Sequence, residues 1–318
     1  MPRAQKPCVD CGKKVTPNFA DSIPRCKPCT TRFQKARATA RPAPATAADE
    51  RAAKLLAEQE EQVTYRTTRT LKPAKGGIRI LMIPDLQIGP GTPTEHLDWI
   101  GKYIVDKRPD VIVQIGDWAD MPSLSTYDRG KLVFEGRRIK NDLDAAEAGM
   151  ERLGKPIARA KGYSPRMLVT LGNHENRITR AVQEDARLEG LVSLDSLPFR
   201  QYGWEVHDFL KPVRIEGVEF AHYFTSGPKG RPLDSAKRIL AERHGSAICG
   251  HNQRFDIAVH DKTEHIAIIS GACYIHDEEY LGPQQNSQKR QIVMLHEVKD
   301  GVFDPMFVSL SFLEKRYK

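Results

Sequence analysis

MLVTLGNHENR, residues 167–177, is the stretch whose reading decides the fold. Met167 to Leu171 reads as a short apolar strand that runs into Gly172 and then delivers Asn173, His174 and Glu175. A strand that ends in Gly and offers polar side chains at its C-terminal edge is how an α/β sheet presents chemistry. Two other segments repeat the pattern. Ile78–Ile83 runs into Pro84-Asp85-Leu86-Gln87, and Val111–Ile115 runs into Gly116-Asp117. Three strand ends carrying Asp, Asp and Asn-His predict one metal site assembled from distant parts of the chain.

Working outward, the segments between these strands carry helical patterns. Thr92-Pro93-Thr94-Glu95 has the form of a capping box with Pro at the first helical position. The helix after it would place Leu97, Ile100, Ile104 and Val105 on one face, and Pro109 would end the segment. Strand, helix and strand then make a βαβ unit with parallel strands and a right-handed crossover. A second helix is expected over about Gly136–Leu153, stopped by Gly154 and Pro156. A third is expected over Glu175–Leu188 and a fourth over Asp234–His244. The second half reads as β-rich: Trp204–His207, Val213–Ile215, Val218–His222, Ala247–Cys249, Phe255–Val259, His265–Ile269, Ile292–Val298 and Met306–Phe312.

The chain has 318 residues, 40% hydrophobic and 28% charged, enough for one large domain and a small one. No window approaches the ~18 consecutive apolar residues of a membrane span, and MPRAQKPC contains no apolar signal region. The expectation is a cytoplasmic protein without membrane contact. Charge is uneven. Residues 1–48 hold ten Lys/Arg against two Asp/Glu, a net of +8 that equals the total for the whole chain, so residues 49–318 sum to zero. A basic tail of this kind can track a phosphate backbone, which makes nucleic acid the expected partner. A merely solubilising extension is the plainer reading.

Four of the six cysteines form Cys8-x2-Cys11 and Cys26-x2-Cys29, separated by 14 residues. Paired CxxC elements bring four thiolates around one structural Zn²⁺, and Gly12 allows the tight turn a knuckle needs. Two disulfides are the alternative, which a reducing cytoplasm disfavours. Cys249 and Cys273 lie in apolar contexts and read as buried thiols. Residues 1–33 are therefore expected to be a zinc module folded by its metal. Residues 34–76 are expected to be an Ala/Pro-rich linker with a helix over Asp49–Gln62, and residues 77–318 the main domain.

Asp85, Asp117, Asn173, His222 and His251 stand in the order Asp…GlyAsp…GlyAsnHis…His…GlyHis. In this the chain resembles the calcineurin-like metallophosphoesterases, and among them phosphoesterases encoded by tailed bacteriophages. That would place it in a host cytoplasm. The resemblance covers residues 78 to about 260 by motif. It implies a four-layer αββα sandwich with two divalent cations at the strand ends, hydrolysing phosphate esters with metal-activated water. By position, Asp117 would bridge both cations, Asp85 would bind the first, and Asn173, His222 and His251 the second. His174 would stabilise the transition state or protonate the leaving oxygen.

The chain departs from that family twice. Asp-x-His becomes Asp85-Leu86-Gln87, and Gly-His-x-His becomes Gly250-His251-Asn252-Gln253. Both missing histidines would bind the first cation. A double change confined to one shell points to a retained site with Gln87 and Gln253 as oxygen ligands. Such a site is shifted toward Mn²⁺ or Mg²⁺, whereas the nitrogen-rich second site also suits Fe²⁺ or Zn²⁺. A single-metal centre is the competing reading. The remaining histidines have no such context.

The loop after Asp117, WADMPSLSTYDRGKLVFEGRR, lies above a strand end, where substrate contacts concentrate. Arg129 and Arg137 are its candidate phosphate contacts, with Lys131 and Arg138 beside them and Tyr127 placed to stack on a base. Residues 226–231 offer a similar loop with two cations. The expected activity is that of a nuclease or a nucleic-acid end-processing phosphatase. The alternatives are a small-substrate or nucleotide phosphoesterase whose zinc module binds protein, and a non-catalytic nucleic-acid-binding protein.

Overall fold

A computed structural model describes residues 6–9, 11–15, 26–29, 76–227, 229–277 and 288–318. The chain divides into two compact units, 1–62 and 63–318. The helix expected over Asp49–Gln62 and the Ala/Pro-rich segment lie outside the described residues.

In the N-terminal unit, Lys6–Pro7 pairs antiparallel with Lys14–Val15. The turn between them is closed by Gly12 N donating to Cys8 O at 2.9 Å. It presents Cys8 and Cys11 toward Cys26 and Cys29.

The larger unit is built on two sheets. Its elements in chain order are β1 (Ile78–Ile83), α1 (His96–Lys107), β2 (Val111–Gln114), α2 (Ile139–Arg159), β3 (Arg166–Thr170), α3 (Asn176–Glu184), β4 (Trp204–His207), β5 (Val213–Ile215), β6 (Val218–Ala221), α4 (Ala236–Arg243), β7 (Ala247–Cys249), β8 (Phe255–Val259), β9 (Ile266–Ser270), β10 (Gln291–Lys299), β11 (Val302–Ser309) and α5 (Leu310–Tyr317). The first sheet has the order β11-β10-β1-β2-β3-β4 and the second β8-β9-β7-β6-β5. Strands β1 to β4 run parallel, as do β6, β7 and β9. All of these strand ends therefore open toward one edge, where a doubly wound sheet places its site.

The layering follows from which faces are apolar. Ile80, Met82, Val111, Val113 and Leu168 of the first sheet pack on Val218, Phe220, Ile248 and Ile268 of the second. The opposite face of the first sheet, with Leu81, Ile112 and Val169, is covered by α1, α2 and α5. The outer face of the second sheet, with Ala267 and Ile269, is covered by α4 through Ala236 and Ile239. Strands buried on both faces read as continuous apolar runs, which is why IRILMI and VIVQ carry so few polar positions. The result is the αββα sandwich expected from the motifs.

Several local expectations need correction. Helix α1 begins at His96, not next to Pro93, because both threonines are engaged elsewhere. Thr92 Oγ1 accepts from Gly89 N and donates to Gly89 O, and Thr94 Oγ1 accepts from Arg152 Nη1 at 3.0 Å. Helix α2 runs through Gly154 and Pro156 to Arg159. The Pro156 ring packs on α1 at Gly101, where an added Cβ would lie 2.9 Å from Pro156 Cγ. That contact helps offset the hydrogen bond the proline cannot make. Helix α3 stops at Glu184, because the Asp185 side chain accepts from Arg187 N at 3.1 Å and starts a 3₁₀ turn over Ala186–Leu188. The C-terminal strand ends at Ser309, whose hydroxyl accepts from Phe312 N at 3.2 Å and caps α5. A strand over Met306–Phe312 would have missed that cap.

Candidate metal centre

Four cysteines and one Asp–His–His set are the clusters of ligating side chains found among the described residues. In the first, the Sγ atoms of Cys8, Cys11, Cys26 and Cys29 all lie within 4.8 Å of one another. Cys11 Sγ and Cys26 Sγ stand 3.6 Å apart. That is far beyond an S–S bond of ~2.05 Å. It is close to the roughly 3.8 Å that separates two sulfurs of a tetrahedral centre with Zn–S near ~2.3 Å. Hydrogen bonding with Cys26 and Cys11 pushes the Cys29 thiol up to about 12, so the cluster needs a cation to ionise fully. The four donors fit a structural Zn²⁺.

The second cluster sits at the strand ends of the larger unit. After β2, Gly116 turns the chain at φ +92° and Asp117 follows at φ +51°. The turn is held by the Gln114 side chain, which donates to Gly116 O and accepts from Gly116 N. Asp117 is 1% exposed, and its Oδ1 accepts from His174 N at 2.9 Å. Asp85 follows β1, wholly buried, and accepts from His251 N through both oxygens at 3.1 Å. Thus the three strand ends and the loop after β7 are joined through backbone N–H groups aimed at the two carboxylates.

The glycines of these motifs have a steric reason. A Cβ on Gly172 would overlap Asp117 Oδ1, and one on Gly250 would overlap Asp85 Oδ1. Each carboxylate occupies the space a side chain on the facing strand end would need. Gln87, Asp117, His251 and Gln253 all have left-handed backbones. Such conformations cost about 1–3 kcal/mol each in a non-glycine residue and gather at functional sites.

His222 lies at the centre. Its Nδ1 donates to Ile115 O at 3.0 Å, which leaves Nε2 with a lone pair when the ring is neutral. That Nε2 faces Asn173 Oδ1 at 2.9 Å, His251 Nδ1 at 3.2 Å and Asp117 Oδ2 at 3.3 Å. Four electron-rich atoms converge on one point, an arrangement that repels itself unless a cation stands between them. Burial opposes charge on His222, yet Asp117 and Asp85 draw it up to about 9: the acids demand a positive charge there. His251 is pushed down to about 4 by burial and by His222, so it presents neutral nitrogen. Burial and the Asp117 charge push Asp85 up to about 7, against the pull of His222. Asp117, Asn173, His222 and His251 therefore fit a divalent cation on the chemistry of their donors.

Gln87 and Gln253, the two oxygen ligands expected for the first cation, are both buried. The Gln253 Oε1 accepts from the Tyr274 hydroxyl at 2.9 Å, which uses one of its two lone pairs.

Sequence reading missed three residues here. Asp120 lies three positions after Asp117, and its Oδ1 accepts from His174 Nδ1 at 2.8 Å. Glu175 is fully buried and accepts from Gly172 N, Asp117 N and Ala119 N at 2.7, 3.0 and 2.9 Å. It clamps two strand ends together. A Glu three residues after Gly172 has the spacing of a side chain reaching back to a free N–H at a helix start, and that signal was readable. Arg177 Nη2 stands 3.2 Å from His174 Nε2, to which it donates only when that nitrogen has given up its proton, while its Nη1 donates to Asp120 O at 2.5 Å. Although burial opposes it, the carboxylates of Asp117 and Asp120 hold the His174 imidazole above its ordinary range.

The loop cations are placed differently from the metal set. Arg129 pairs with Glu184 at 3.0 Å, and Arg137 pairs with Asp128 at 2.8 Å and donates to Pro122 O. Lys131 joins Asp128 at 3.5 Å, and Arg138 donates to Arg137 O. Tyr127 is 78% exposed. In the second loop, Thr225–Ser226 pairs with Arg231–Pro232 as a small hairpin, and Pro228 lies outside the described residues.

Residues 78–300 match the family model described as calcineurin-like phosphoesterase. The chain is 35% identical over 190 residues to the Gene 54 protein of Mycobacterium phage L5, covering 57% of this chain and 71% of that protein. It is 34% identical over 99 residues to the Gene 54 protein of Mycobacterium phage D29, covering 31% of this chain and 36% of the relative. Among solved structures, Yfce, a phosphoesterase from E. coli, aligns over 73% of this chain and 100% of its own at 11% identity, with a TM-score of 0.37. Among the described residues, no helix is long and apolar enough to cross a membrane.

Proposed function

The chain belongs to the calcineurin-like phosphoesterase family and is a metal-dependent hydrolase of phosphate esters; from that premise we propose that its substrate is a nucleic-acid phosphate, attacked as a nuclease or as an end-processing phosphatase. Asp117, Asn173, His222 and His251 would hold the second cation, and Asp85 and Asp117 the first, with Gln87 and Gln253 as neutral oxygen donors. Oxygen-rich donors at that first position favour Mn²⁺. When bound, the cations neutralise charge on the phosphoryl oxygens and make water nucleophilic at neutral pH.

The protein's own groups supply the rest. Asp120 fixes the His174 ring by accepting from Nδ1, which turns Nε2 toward Asp117 Oδ2 at 3.7 Å. His174 Nε2 thereby carries a proton to the leaving oxygen. Arg177 adds positive charge at the same atom and disfavours retention of that proton. Glu175 keeps Asp117 and Gly172 in register through three N–H bonds.

The observation that carries the choice of nucleic acid is the charge of residues 1–48. A net +8 beside a cluster of four cysteines, on a chain otherwise neutral, would keep a polyanion near the hydrolase unit. The reading places the protein in a host cytoplasm, where such a substrate is at hand. Deleting residues 1–48 tests it. Hydrolysis of single- and double-stranded DNA should fall and lose its salt dependence, while turnover of an aryl phosphate should stay as it was. Equal DNA hydrolysis with and without the tail, insensitive to salt, would return the assignment to a small phosphate ester.

A further inference from the structure

The two sheets end in four edge strands, β11, β4, β8 and β5. An edge row of unpaired N–H and C=O groups invites another strand, and proteins blunt such rows with Pro, charge or shortness. Three of these edges are blunted. β11 carries Asp304 and Pro305 near its middle. β4 has four residues, with Glu205 paired to Arg166 at 2.7 Å. β5 has three, and its Arg214 pairs with Glu219 at 2.6 Å. β8, FDIAV, contains no Pro and runs against β9 without a bulge. Its one charge, Asp256, is turned to α4, where it accepts from Ala236 N at 2.9 Å.

The bonds of β8 to β9 fix which of its groups face outward. His260 N donates to His265 O at 2.9 Å and Gly271 N donates to Arg254 O at 3.0 Å, at the two ends of the ladder. Antiparallel bonding alternates along a strand. Arg254, Asp256, Ala258 and His260 therefore turn their backbone groups to β9, and Phe255, Ile257 and Val259 turn theirs outward. Among the described residues no strand pairs with that side. The side chains of the same three residues are 36%, 38% and 55% exposed. They share the face of Ile268 and Ile266, which lie opposite Ile257 and Val259 on β9 and pack between the sheets. The Phe255 ring meets Phe307 of β11 at 4.8 Å, so the apolar stripe continues onto the first sheet. An exposed apolar stripe and an open backbone row thus coincide on three residues.

We infer that β8 pairs with β8 of a second copy of this chain, antiparallel and centred on Ile257. The occupant follows from the pattern, which reads alike from both ends. A two-fold axis at Ile257 sets Ile257 against itself and Phe255 against Val259 of the copy, each an apolar pair on one face. The outward residues of the two strands then exchange about six backbone hydrogen bonds. The charges agree with this register. Asp256 comes opposite Ala258, so no acid directly opposes an acid. Arg254, just before the strand, comes beside the copy's turn after β8, where Asp261, Lys262 and Glu264 sum to −1. The second sheet becomes continuous through both copies, and two open edges disappear together.

Sedimentation velocity of the full-length protein, from about 1 to 100 μM, tests the pairing. The parent should reach the mass of two chains as concentration rises. Ile257→Lys and Ile257→Glu each put like charges on the two-fold axis and should weaken dimerisation about 10- to 100-fold. Mixed in equal amounts, the two variants put opposite charges there and should recover the mass of two chains. Val259→Pro removes one outward N–H and leaves the β9 ladder intact. It should weaken the dimer as well, and it keeps the test open should a charge at Ile257 unfold the chain, which circular dichroism reads. A parent that stays monomeric throughout overturns the pairing and leaves the edge to a strand of another protein or to another segment of this chain. A dimer undiminished in folded Ile257 and Val259 variants places the contact elsewhere. A mixture of the two charge variants that stays monomeric removes the axis from Ile257.

Discussion

Asp117 Oδ1 occupies the space that a Cβ on Gly172 would need. The same oxygen accepts from His174 N at 2.9 Å, so the carboxylate lies flat against the strand end that follows β3. The site is built by letting one backbone come within hydrogen-bonding reach of the next carboxylate, and only glycine permits that approach.

Gly172→Ala should therefore displace Asp117 or His174 by a large fraction of an ångström. A misplacement of that order costs about 100-fold in rate. The same change should reduce the bound metal, because Asp117 Oδ2 faces His222 Nε2 at 3.3 Å. Steady-state kinetics together with metal analysis of the purified variant check this. Parental kcat with a full complement of metal would show that the loop absorbs the methyl group.

Asp120→Asn tests the orientation of His174. Loss of a carboxylate behind a working imidazole costs about 10–100-fold, and the effect should fall on kcat more than on KM. The sign of the pH change follows from the charges. Asp120 raises the His174 pKa, so its removal lowers it. The alkaline limb of the kcat profile, where the proton on His174 is lost, should then move to lower pH. A limb that stays in place would detach Asp120 from the titration.

Metal counting settles the role of the two glutamines. If Gln87 and Gln253 serve as oxygen ligands, each chain should take up two Mn²⁺ in addition to one Zn²⁺. Gln253→His would free the Tyr274 hydroxyl from its 2.9 Å bond and should tighten the weaker Mn²⁺ site. Titration that saturates at a single Mn²⁺ would make the centre mononuclear.

Glu219 supplies a test of stability away from the site. Its carboxylate is 8% exposed and receives Arg214 Nη2 at 2.6 Å and Arg243 Nε at 2.7 Å. Burial opposes its charge, but the two guanidinium groups hold it below the usual Glu range. A depressed pKa stabilises the fold above the unfolded value of ~4.3 and loses that contribution as pH falls through the folded value. Glu219→Gln should cost about 1–2 kcal/mol at pH 7, discounted because Arg214 is largely solvated, and little at pH 3. Urea denaturation at the two pH values reads the difference. An equal loss at both would assign the effect to packing.

How much of this was legible in the chain depends on the range of the contact. The strand ends that carry Asp85, Asp117 and Asn173 follow from apolar runs meeting Gly or Pro, a pattern set within about ten residues. The Cys8, Cys11, Cys26 and Cys29 spacing follows from turn geometry in the same way. Helix ends were less legible. Thr92 caps Gly89 instead of α1, and Pro156 stays inside α2, because hydroxyls and rings answer to whichever neighbour the fold supplies.

The sequence by itself determined the order of the motif residues and the clustering of charge in residues 1–48, and the αββα architecture followed from the resemblance that this order carries. Only the tertiary structure decided the pairings. It gave Asp120 to His174, three backbone N–H groups to Glu175, and carboxylates to Arg129 and Arg137, while leaving Arg180 Nε without one. The physical reason is range. Hydrophobic periodicity and glycine turns act between near neighbours and leave their mark in the sequence. A guanidinium or imidazole takes its partner across more than fifty residues, as Arg129 does with Glu184 and His174 with Asp120, and the course of the intervening loops decides which acceptor it meets.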